Sequence, residues 1–208
     1  MSQTYEPHRL VIQHLTVLES APIIANEVEK RVFDAIDVKI KEWKESQCDW
    51  EGVFDYFGEE TTFKPKSWEN DENGTYNAFY SFCNEADEGF NYNLSPLIGI
   101  SPVRCGFWFG VNAGWITGLI GKGAKPRAAW KTFLAGQFPL TKLAALGFEL
   151  HGENLFMPIC ISAQLLAESF PDLLDDALVP IDEALKQLEV AHPEVEGLLK
   201  IAMEYQFG

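Results

Sequence analysis

Acidic side chains are the groups in this sequence that most obviously could do chemistry. They form three dense clusters: Glu59 with Glu60, Glu85 with Asp87 and Glu88, and Asp172 with Asp175 and Asp176. Paired carboxylates can hold a divalent metal ion or exchange protons with a substrate. Adjacent like charges more often mark a solvated surface, so a solvated acidic face is the simpler interpretation of each cluster. An enzyme with a carboxylate or metal site is an alternative hypothesis, and its candidate residues are Glu59, Glu60, Glu85 and Asp87.

Motifs that bind phosphate, activate a nucleophile or hold zinc are all incomplete in this sequence. Residues 121–123 (GKG) lack the Ser or Thr with which a phosphate-binding P-loop ends. Residues 99–103 (GISPV) lack the second glycine of a nucleophile elbow. Residues 151–153 (HGE) have no C-x-x-C partner that would complete a deaminase zinc site. The sequence therefore assigns no catalytic residue, no metal ligand and no cofactor, and it favours a protein that is not an enzyme.

The cysteines favour free thiols in a reducing compartment. Cys48, Cys83, Cys105 and Cys160 are widely spaced and include no C-x-x-C pair. Such spacing is typical of neither a disulfide framework nor a zinc site. The first ten residues also lack the basic and apolar segments of a secretory signal. We therefore expect a cytoplasmic location.

A second group of candidate residues combines aromatic rings with positive charge. Residues 100–150 carry a net charge of +5, whereas the segments before and after them carry −11 and −9. This basic middle segment contains five residues that could line a groove for a small anionic ligand, namely Trp108, Trp115, Lys122, Lys125 and Arg127. Aromatic rings fill protein cores more often than they line ligand sites, so core packing is the simpler interpretation of the two tryptophans.

The overall charge indicates the kind of partner to expect. The 208-residue chain carries 31 acidic and 16 basic side chains, a formal net charge of −15. A surface this acidic repels nucleic-acid phosphates and anionic lipid, so we expect neither direct nucleic-acid binding nor membrane binding. It accelerates association with basic proteins. We therefore predict an acidic protein-binding partner of inhibitor or immunity type. Its basic partner, for which a nucleic-acid-processing protein is one candidate, is expected to contact Asp172, Asp175 and Asp176. The sequence leaves the oligomeric state open.

The elements that must position these groups begin with a long amphipathic helix. Apolar residues recur every three or four positions between residues 22 and 47, which predicts a helix with one buried stripe. The stripe consists of Ile24, Val28, Val32, Ile36, Ile40 and Trp43. Ser20 is suited to be the N-cap of this helix. The segment from Leu10 to Leu18 fits a strand or a short helix equally well.

Short alternating segments, rich in aromatic and β-branched residues, follow this helix and predict strands. The candidate strands are residues 50–57, 61–68, 75–83, 90–98 and 104–112, with a further one at 154–160. The polar segment 69–74 ends in Asn-Gly, which favours a hairpin between the second and third candidates. Because the connections are short and consecutive, they favour an antiparallel meander. Alternation places Trp108 on one sheet face and Phe107 and Phe109 on the other.

The second half of the chain is mainly helical in pattern. Periodicity predicts helices at residues 126–136 and 139–146, and helices over 162–206 that are interrupted at Pro171, Pro180 and Pro193. The sequence thus predicts an α+β fold, in which a long N-terminal helix packs on a mostly antiparallel sheet of four or five strands. We expect residues 1–160 to form this α+β domain. Residues 161–208 are expected to form a C-terminal helical subdomain that packs on it as one unit.

Overall fold

The structure is a computed structural model that describes residues 6–47, 49–68, 77–120 and 125–205. Over these residues the strands are β1 (Trp50–Phe54), β2 (Thr61–Pro65), β3 (Ala78–Asn84), β4 (Cys105–Val111), β5 (Glu149–His151) and β6 (Asn154–Ile159). The helices are α1 (Glu6–Gln13), α2 (Leu15–Ser46), α3 (Leu94–Leu97), α4 (Ala113–Ile120), α5 (Pro126–Gln137), α6 (Ala163–Ser169), α7 (Leu174–Ala177) and α8 (Val179–Glu204). The predicted α+β class is confirmed. The predicted 69–74 hairpin and the candidate ligand residue Lys122 lie outside the described residues.

One antiparallel sheet holds the described strands in the order β1-β2-β3-β4-β6-β5. The first four strands form the predicted meander. The sheet has six strands rather than four or five, because the short strand β5 pairs with β6 and adds an edge. The strand predicted at residues 90–98 is wrong, and the short helix α3 lies there instead. Pro96 has no N–H to donate to a ladder, and Gly99, at a φ of +73°, turns the chain immediately afterwards.

The N-terminal helix is longer than its apolar stripe predicts. It begins at Leu15 rather than near residue 22, and α1 precedes it, so the segment from Leu10 to Leu18 is helical. Ser20 is therefore not an N-cap. Its hydroxyl donates to backbone carbonyls one turn earlier in the same helix. Pro22 lies inside this helix, and helical geometry continues on both sides of it from Leu15 to Ser46.

The buried face of α2 differs in detail from the predicted stripe. Val32, Ile36 and Ile40 are fully buried as expected, whereas Ile24 is exposed. The face is completed by Phe33 and by two carboxylates, Glu29 and Asp37. Hydrophobic periodicity does not detect these acids, because their side chains are buried by hydrogen bonding to loops that are distant in sequence.

The two faces of the sheet are occupied by different residues. Phe107 and Phe109 of β4 lie opposite Phe82 and Tyr80 of β3 and belong to the hydrophobic core. Trp108 pairs with Ser81 on the other face, which confirms the predicted alternation. The core side of the sheet is covered by the long helices, with α2 against β1 and α8 against β6 and α2.

The chain between β4 and β5 is helical. The helix predicted at residues 126–136 is confirmed as α5, which has Pro126 in its first turn. The segment 139–146 forms two 3₁₀ turns, Phe138–Leu140 and Leu143–Leu146, rather than one α-helix. Helix α4 is not predicted by the sequence, because its glycines, Gly114 and Gly118, have low helix propensity.

The C-terminal region is helical, as predicted. Helix α6 ends at Ser169, just before Pro171, and Pro180 lies in the first turn of α8. The break predicted at Pro193 is wrong, because α8 continues through it and buries apolar residues on both sides of it. Residues of α6 to α8 share one hydrophobic core with the sheet. The division at residue 160 stays a prediction. Among the described helices, none is both long and apolar enough to cross a membrane.

Candidate functional site

A polar cleft of about 640 Å³ lies between the β1–β2 turn and the loop that connects β3 to α3. Strand β3 contributes Ser81 and Cys83 to its lining. The turn contributes Glu59 and Glu60, and the loop contributes Asp87. The fold thereby brings together three of the four carboxylates that the sequence suggests for an enzyme site.

The charge in this cleft is negative and uncompensated. Its described lining contains no Lys, Arg or His, and Glu59, Glu60 and Asp87 form no ion pair with a described cation. Burial, reinforced by Asp87 and Glu60, raises the pKa of the Cys83 thiol to about 11. Because the thiolate is the nucleophilic form, Cys83 is not an activated nucleophile at neutral pH.

Aromatic rings form the apolar part of the cleft. Tyr56, Phe57, Phe79 and Phe90 all contribute to its lining. Tyr56 stacks on Phe33 of α2 at a centroid distance of 4.0 Å, and Phe57 meets Tyr56 edge-on at 5.1 Å. The turn is therefore anchored on the buried face of α2. The face of an aromatic ring carries negative electrostatic potential, so these rings add to the attraction that the carboxylates exert on a cation.

Two asparagines supply neutral polar groups to the cleft. The Asn84 side chain donates a hydrogen bond from Nδ2 to Oδ1 of Asn93 at 3.2 Å. Oδ1 of Asn84 is buried and has no hydrogen-bond partner among the described residues. A buried acceptor without a donor is unfavourable by about 1–3 kcal/mol.

Buried carboxylates of α2 hold both sides of the cleft in place. Asp37 accepts a hydrogen bond from the backbone N–H of Tyr56 at 2.8 Å and another from the Thr61 hydroxyl. Glu29 accepts a hydrogen bond from the backbone N–H of Leu94 at 2.6 Å. Burial raises the pKa of each carboxyl group, and the hydrogen bonds that it accepts oppose this rise. The turn and the loop are thus fixed to one helix.

The fourth predicted carboxylate lies outside the cleft. Glu85 forms an ion pair with Arg104 at 2.6 Å, and Arg104 also pairs with Glu149 at 2.9 Å. The Arg104 guanidinium is the main reason that the pKa of Glu85 is lowered. Within the described part of the chain, no group of three His, Cys, Asp or Glu side chains is arranged to hold a metal ion.

The described members of the predicted ligand-binding group belong to different elements: Trp108 to β4, Trp115 to α4, and Lys125 and Arg127 to the start of α5. Trp108 is buried on the outer sheet face, 4.4 Å from the ring of Phe156. Trp115 of α4 lines a different cavity, of about 430 Å³, whose lining does not include Trp108. Lys125 is exposed at the start of α5, and Arg127 pairs with Glu153 at 3.1 Å. The small-ligand hypothesis stays a prediction.

The predicted partner-binding carboxylates are exposed, and two of them already have internal partners. Asp172 lies 3.8 Å from Arg31, and Asp175 lies 3.0 Å from Lys39. Asp176 forms no ion pair with a described residue. The role of this cluster in partner binding stays a prediction. Of its three carboxylates, Asp176 is the one without an ion pair to a described residue.

Several cleft residues are not identified by the sequence. Asn84, Asn93 and Phe90 lie at the end of a strand and in the following loop, and no motif marks them. The only local signal is the density of polar and aromatic residues over 84–93, and part of this segment falls in the strand predicted at residues 90–98.

Comparison with known proteins supplies no function for this chain. No protein-family model, curated protein or solved structure matches it. The function must therefore be inferred from the chemistry of the cleft.

Proposed function

We propose that this protein binds a basic protein and that its cleft receives a Lys or Arg side chain of that partner. The observation that carries the proposal is the uncompensated charge of Glu59, Glu60 and Asp87 between aromatic walls. A binding protein of this kind is an inhibitor or immunity-type protein if its basic partner is an enzyme.

Arginine fits the chemistry of the cleft better than lysine. Its guanidinium group presents five N–H donors in a plane, can pair with carboxylates through two hydrogen bonds, and stacks on aromatic faces. Glu59, Glu60 and Asp87 supply the carboxylates, and Tyr56 and Phe57 supply rings. A volume of about 640 Å³ also leaves space for the backbone next to the inserted side chain.

The charge of the whole chain supports the same function. A net charge of −15 attracts a basic protein over distances beyond direct contact and raises the association rate. Exposed acids outside the cleft, such as Asp176, Glu183 and Glu189, contribute to this attraction. We therefore expect the cleft to determine mainly the dissociation rate, and the outer acids mainly the association rate.

The cleft offers less support for an enzyme. Cys83 has a raised pKa, and its Sγ lies 3.9 Å from the Ser81 hydroxyl, with no His in the described lining to act as a base. The carboxylates could bind a cationic substrate or exchange a proton with it, but the described lining supplies no His, Lys or Arg to act beside them.

A peptide titration tests the proposal. The probe is a fluorescent peptide, Gly-Arg-Gly-Lys-Gly-Arg-Gly, whose anisotropy reports binding to the wild-type protein. The variant Glu59→Gln/Glu60→Gln/Asp87→Asn should lose most of the affinity. The control, Glu183→Gln/Glu189→Gln/Glu204→Gln, removes the same charge from exposed positions of α8 and should keep most of it. Equal losses in both variants would show only non-specific attraction and would refute a role for the cleft.

A further inference from the structure

The cavity of about 430 Å³ that Trp115 lines lies between the beginning of β3, helix α4 and the last turns of α8. Its described lining shares no residue with the described lining of the cleft. Sites for small molecules typically have volumes of about 300–1,000 Å³ and combine apolar walls with a few polar groups. The cavity has this size and this mixture of groups, so it is a candidate site for a small molecule.

Two tryptophan rings form much of the apolar wall of the cavity. Trp68 is 8% exposed, and its ring packs against Tyr80 at 5.4 Å and Phe109 at 5.8 Å. Trp115 meets the fully buried Trp130 edge-on at 6.1 Å. Both rings are therefore held by the aromatic core, which gives the cavity a wall that exists before a ligand binds. Aromatic rings pack favourably on one another in stacked or edge-on arrangements, so this wall favours an aromatic ligand.

Helix α8 adds further apolar groups to the lining. Leu199 is buried, whereas Met203, four residues later on the same helix, is 58% exposed. A methionine side chain is flexible, and its sulfur makes favourable contacts with aromatic rings. An aromatic ligand would thus gain apolar contacts from α8 as well as from the two tryptophans.

The charged groups of the cavity are one carboxylate and one ammonium. Glu196 and Lys200 are the only charged residues in its described lining, and they lie one turn apart on α8. Their charged atoms are 4.0 Å apart. An exposed ion pair at this distance contributes little to stability, so both groups can bind a ligand at small cost. The cavity therefore offers one negative and one positive group, whereas the cleft offers negative groups alone.

The carboxylate of Glu196 is positioned by a chain of polar contacts that begins in the core. Nδ1 of His192 lies 3.1 Å from the hydroxyl of the fully buried Tyr80, and Nε2 lies 3.6 Å from Oε1 of Glu196. The Tyr80 hydroxyl can donate to Nδ1, which leaves the proton of a neutral His192 on Nε2, facing the carboxylate. A group that is already positioned loses less conformational freedom when a ligand binds.

We propose that this cavity binds a small zwitterionic aromatic molecule with the size and charges of an aromatic amino acid. Its ring contacts Trp68 and Trp115, its ammonium group pairs with Glu196, and its carboxylate pairs with Lys200. A singly charged ligand would leave one of the two side chains without a partner, so charge complementarity favours the zwitterion. Binding here does not require a basic protein in the cleft, because the two described linings are separate.

Isothermal titration calorimetry with four probes tests the ligand class. L-Tryptophan carries the ring and both charges, tryptamine lacks the carboxylate, indole-3-propionate lacks the ammonium group, and L-alanine lacks the ring. L-Tryptophan should bind the wild-type protein about two- to fivefold more tightly than tryptamine or indole-3-propionate, which is the contribution expected of one exposed ion pair. L-Alanine should give no measurable binding.

Two variants locate the binding site. Glu196→Gln should abolish the preference for L-tryptophan over indole-3-propionate, and Lys200→Gln should abolish the preference for L-tryptophan over tryptamine. Each variant should still bind the probe that lacks the affected charge, which shows that the variant is folded. The control, Lys186→Gln/Glu189→Gln, changes one charge of each sign at exposed positions of α8 outside the cavity and should keep both preferences.

The proposal would be overturned if L-tryptophan did not bind at millimolar concentration, or if the three indole probes bound with equal affinity. It would also be overturned if L-alanine bound as tightly as L-tryptophan, because the aromatic wall would then play no part. Variants of Glu196 and Lys200 that kept both preferences, or a control variant that lost them, would show that the ligand binds elsewhere.

Discussion

Glu29 and Asp37 lie eight residues apart on the buried face of α2, and each accepts a backbone N–H from a different side of the cleft. Eight residues are a little more than two helical turns, so both side chains leave the helix on the same face. Asp37 holds the turn that carries Glu59 and Glu60, and Glu29 holds the end of the loop that carries Asp87. The spacing of the cleft carboxylates is thereby set by one rigid helix.

Asp37 should make the stability of the protein depend on pH. Burial raises the pKa of Asp37 above its unfolded value of about 3.9, so in the window just above that pH the folded state retains a proton that the unfolded chain has lost. The contribution of Asp37 to the free energy of unfolding is therefore greatest below about pH 4 and falls as the pH rises through the folded pKa.

Urea unfolding of the wild type and Asp37→Asn between about pH 4 and pH 7 measures this effect. The stability of the wild type relative to the variant should fall as the pH rises. Glu42→Gln, which removes an exposed carboxylate from the same helix, is the control. A relative stability that rises with pH would contradict the assignment.

His192 should produce the opposite dependence at higher pH. Its ring lies 4.8 Å from Trp50 and 5.4 Å from Trp68, and its Nδ1 lies 3.1 Å from the Tyr80 hydroxyl. Burial lowers the pKa of His192, and the nearby Glu196 opposes this. Below about pH 6.5 the unfolded chain therefore binds a proton that the folded chain excludes, so the protein should lose stability as the pH falls toward 5.

His192→Gln tests this prediction in thermal unfolding. The variant should lose about 1–3 kcal/mol at neutral pH through poorer packing and hydrogen bonding, but its stability should change less between pH 7 and 5. An unchanged pH dependence in the variant would mean that His192 is not the group responsible.

Lys39 joins the C-terminal helices to α2. Its side chain is 13% exposed and lies 3.0 Å from both Asp175 and Asp182. Asp175→Asn should cost at most about 1 kcal/mol, because Asp182 remains as a partner. The double variant Asp175→Asn/Asp182→Asn leaves a mostly buried charge unpaired and should cost about 1–3 kcal/mol.

Asp176→Asn is the matched control for Asp175→Asn. It changes the net charge equally at the adjacent position, where no ion pair with a described residue is lost, and should leave stability almost unchanged. Equal costs at the two positions in chemical denaturation would show that overall charge, rather than the bridge to Lys39, determines the effect.

Gly106 should not tolerate a side chain. A Cβ at this position would collide with the carbonyl oxygen of Met157 and lie 2.9 Å from the ring of Phe156. Gly106→Ala should therefore cost about 1–3 kcal/mol or more through overpacking. Gly118→Ala, in α4 with open space around the added atom, should instead gain about 0.5–1 kcal/mol. If the two variants had comparable free energies of unfolding in urea, the close approach of Gly106 in β4 to Phe156 and Met157 in β6 would be contradicted.

Local pattern predicts much of this fold, because strands and helices with one buried face repeat their apolar residues at fixed periods. The meander and α5 follow this rule. The rule fails where tertiary packing overrides local signals, as at Pro193, which lies inside a well-buried helix. It also fails at residues 90–98, where alternation of apolar residues coincides with a loop and the short helix α3.

The candidate site is only partly predictable for a related reason. Glu59, Glu60 and Asp87 are visible in the sequence as acidic groups, but their proximity depends on the anchoring of two segments by Glu29 and Asp37. These anchors resemble ordinary surface acids in sequence. The pairing of Glu85 with Arg104, which removes Glu85 from the site, likewise joins residues that flank the adjacent ends of β3 and β4, and it has no local signal.

A titration followed by nuclear magnetic resonance most directly tests whether the cleft binds cationic side chains. The probe is the unlabelled peptide Gly-Arg-Gly-Lys-Gly-Arg-Gly, added to ¹⁵N-labelled protein. We predict saturable amide shifts concentrated at Glu60, Asn84, Asp87 and Asn93, and their loss in the Glu59→Gln/Glu60→Gln/Asp87→Asn variant. Shifts that instead follow the exposed acids of α7 and α8, or that persist in the variant, would contradict binding in the cleft.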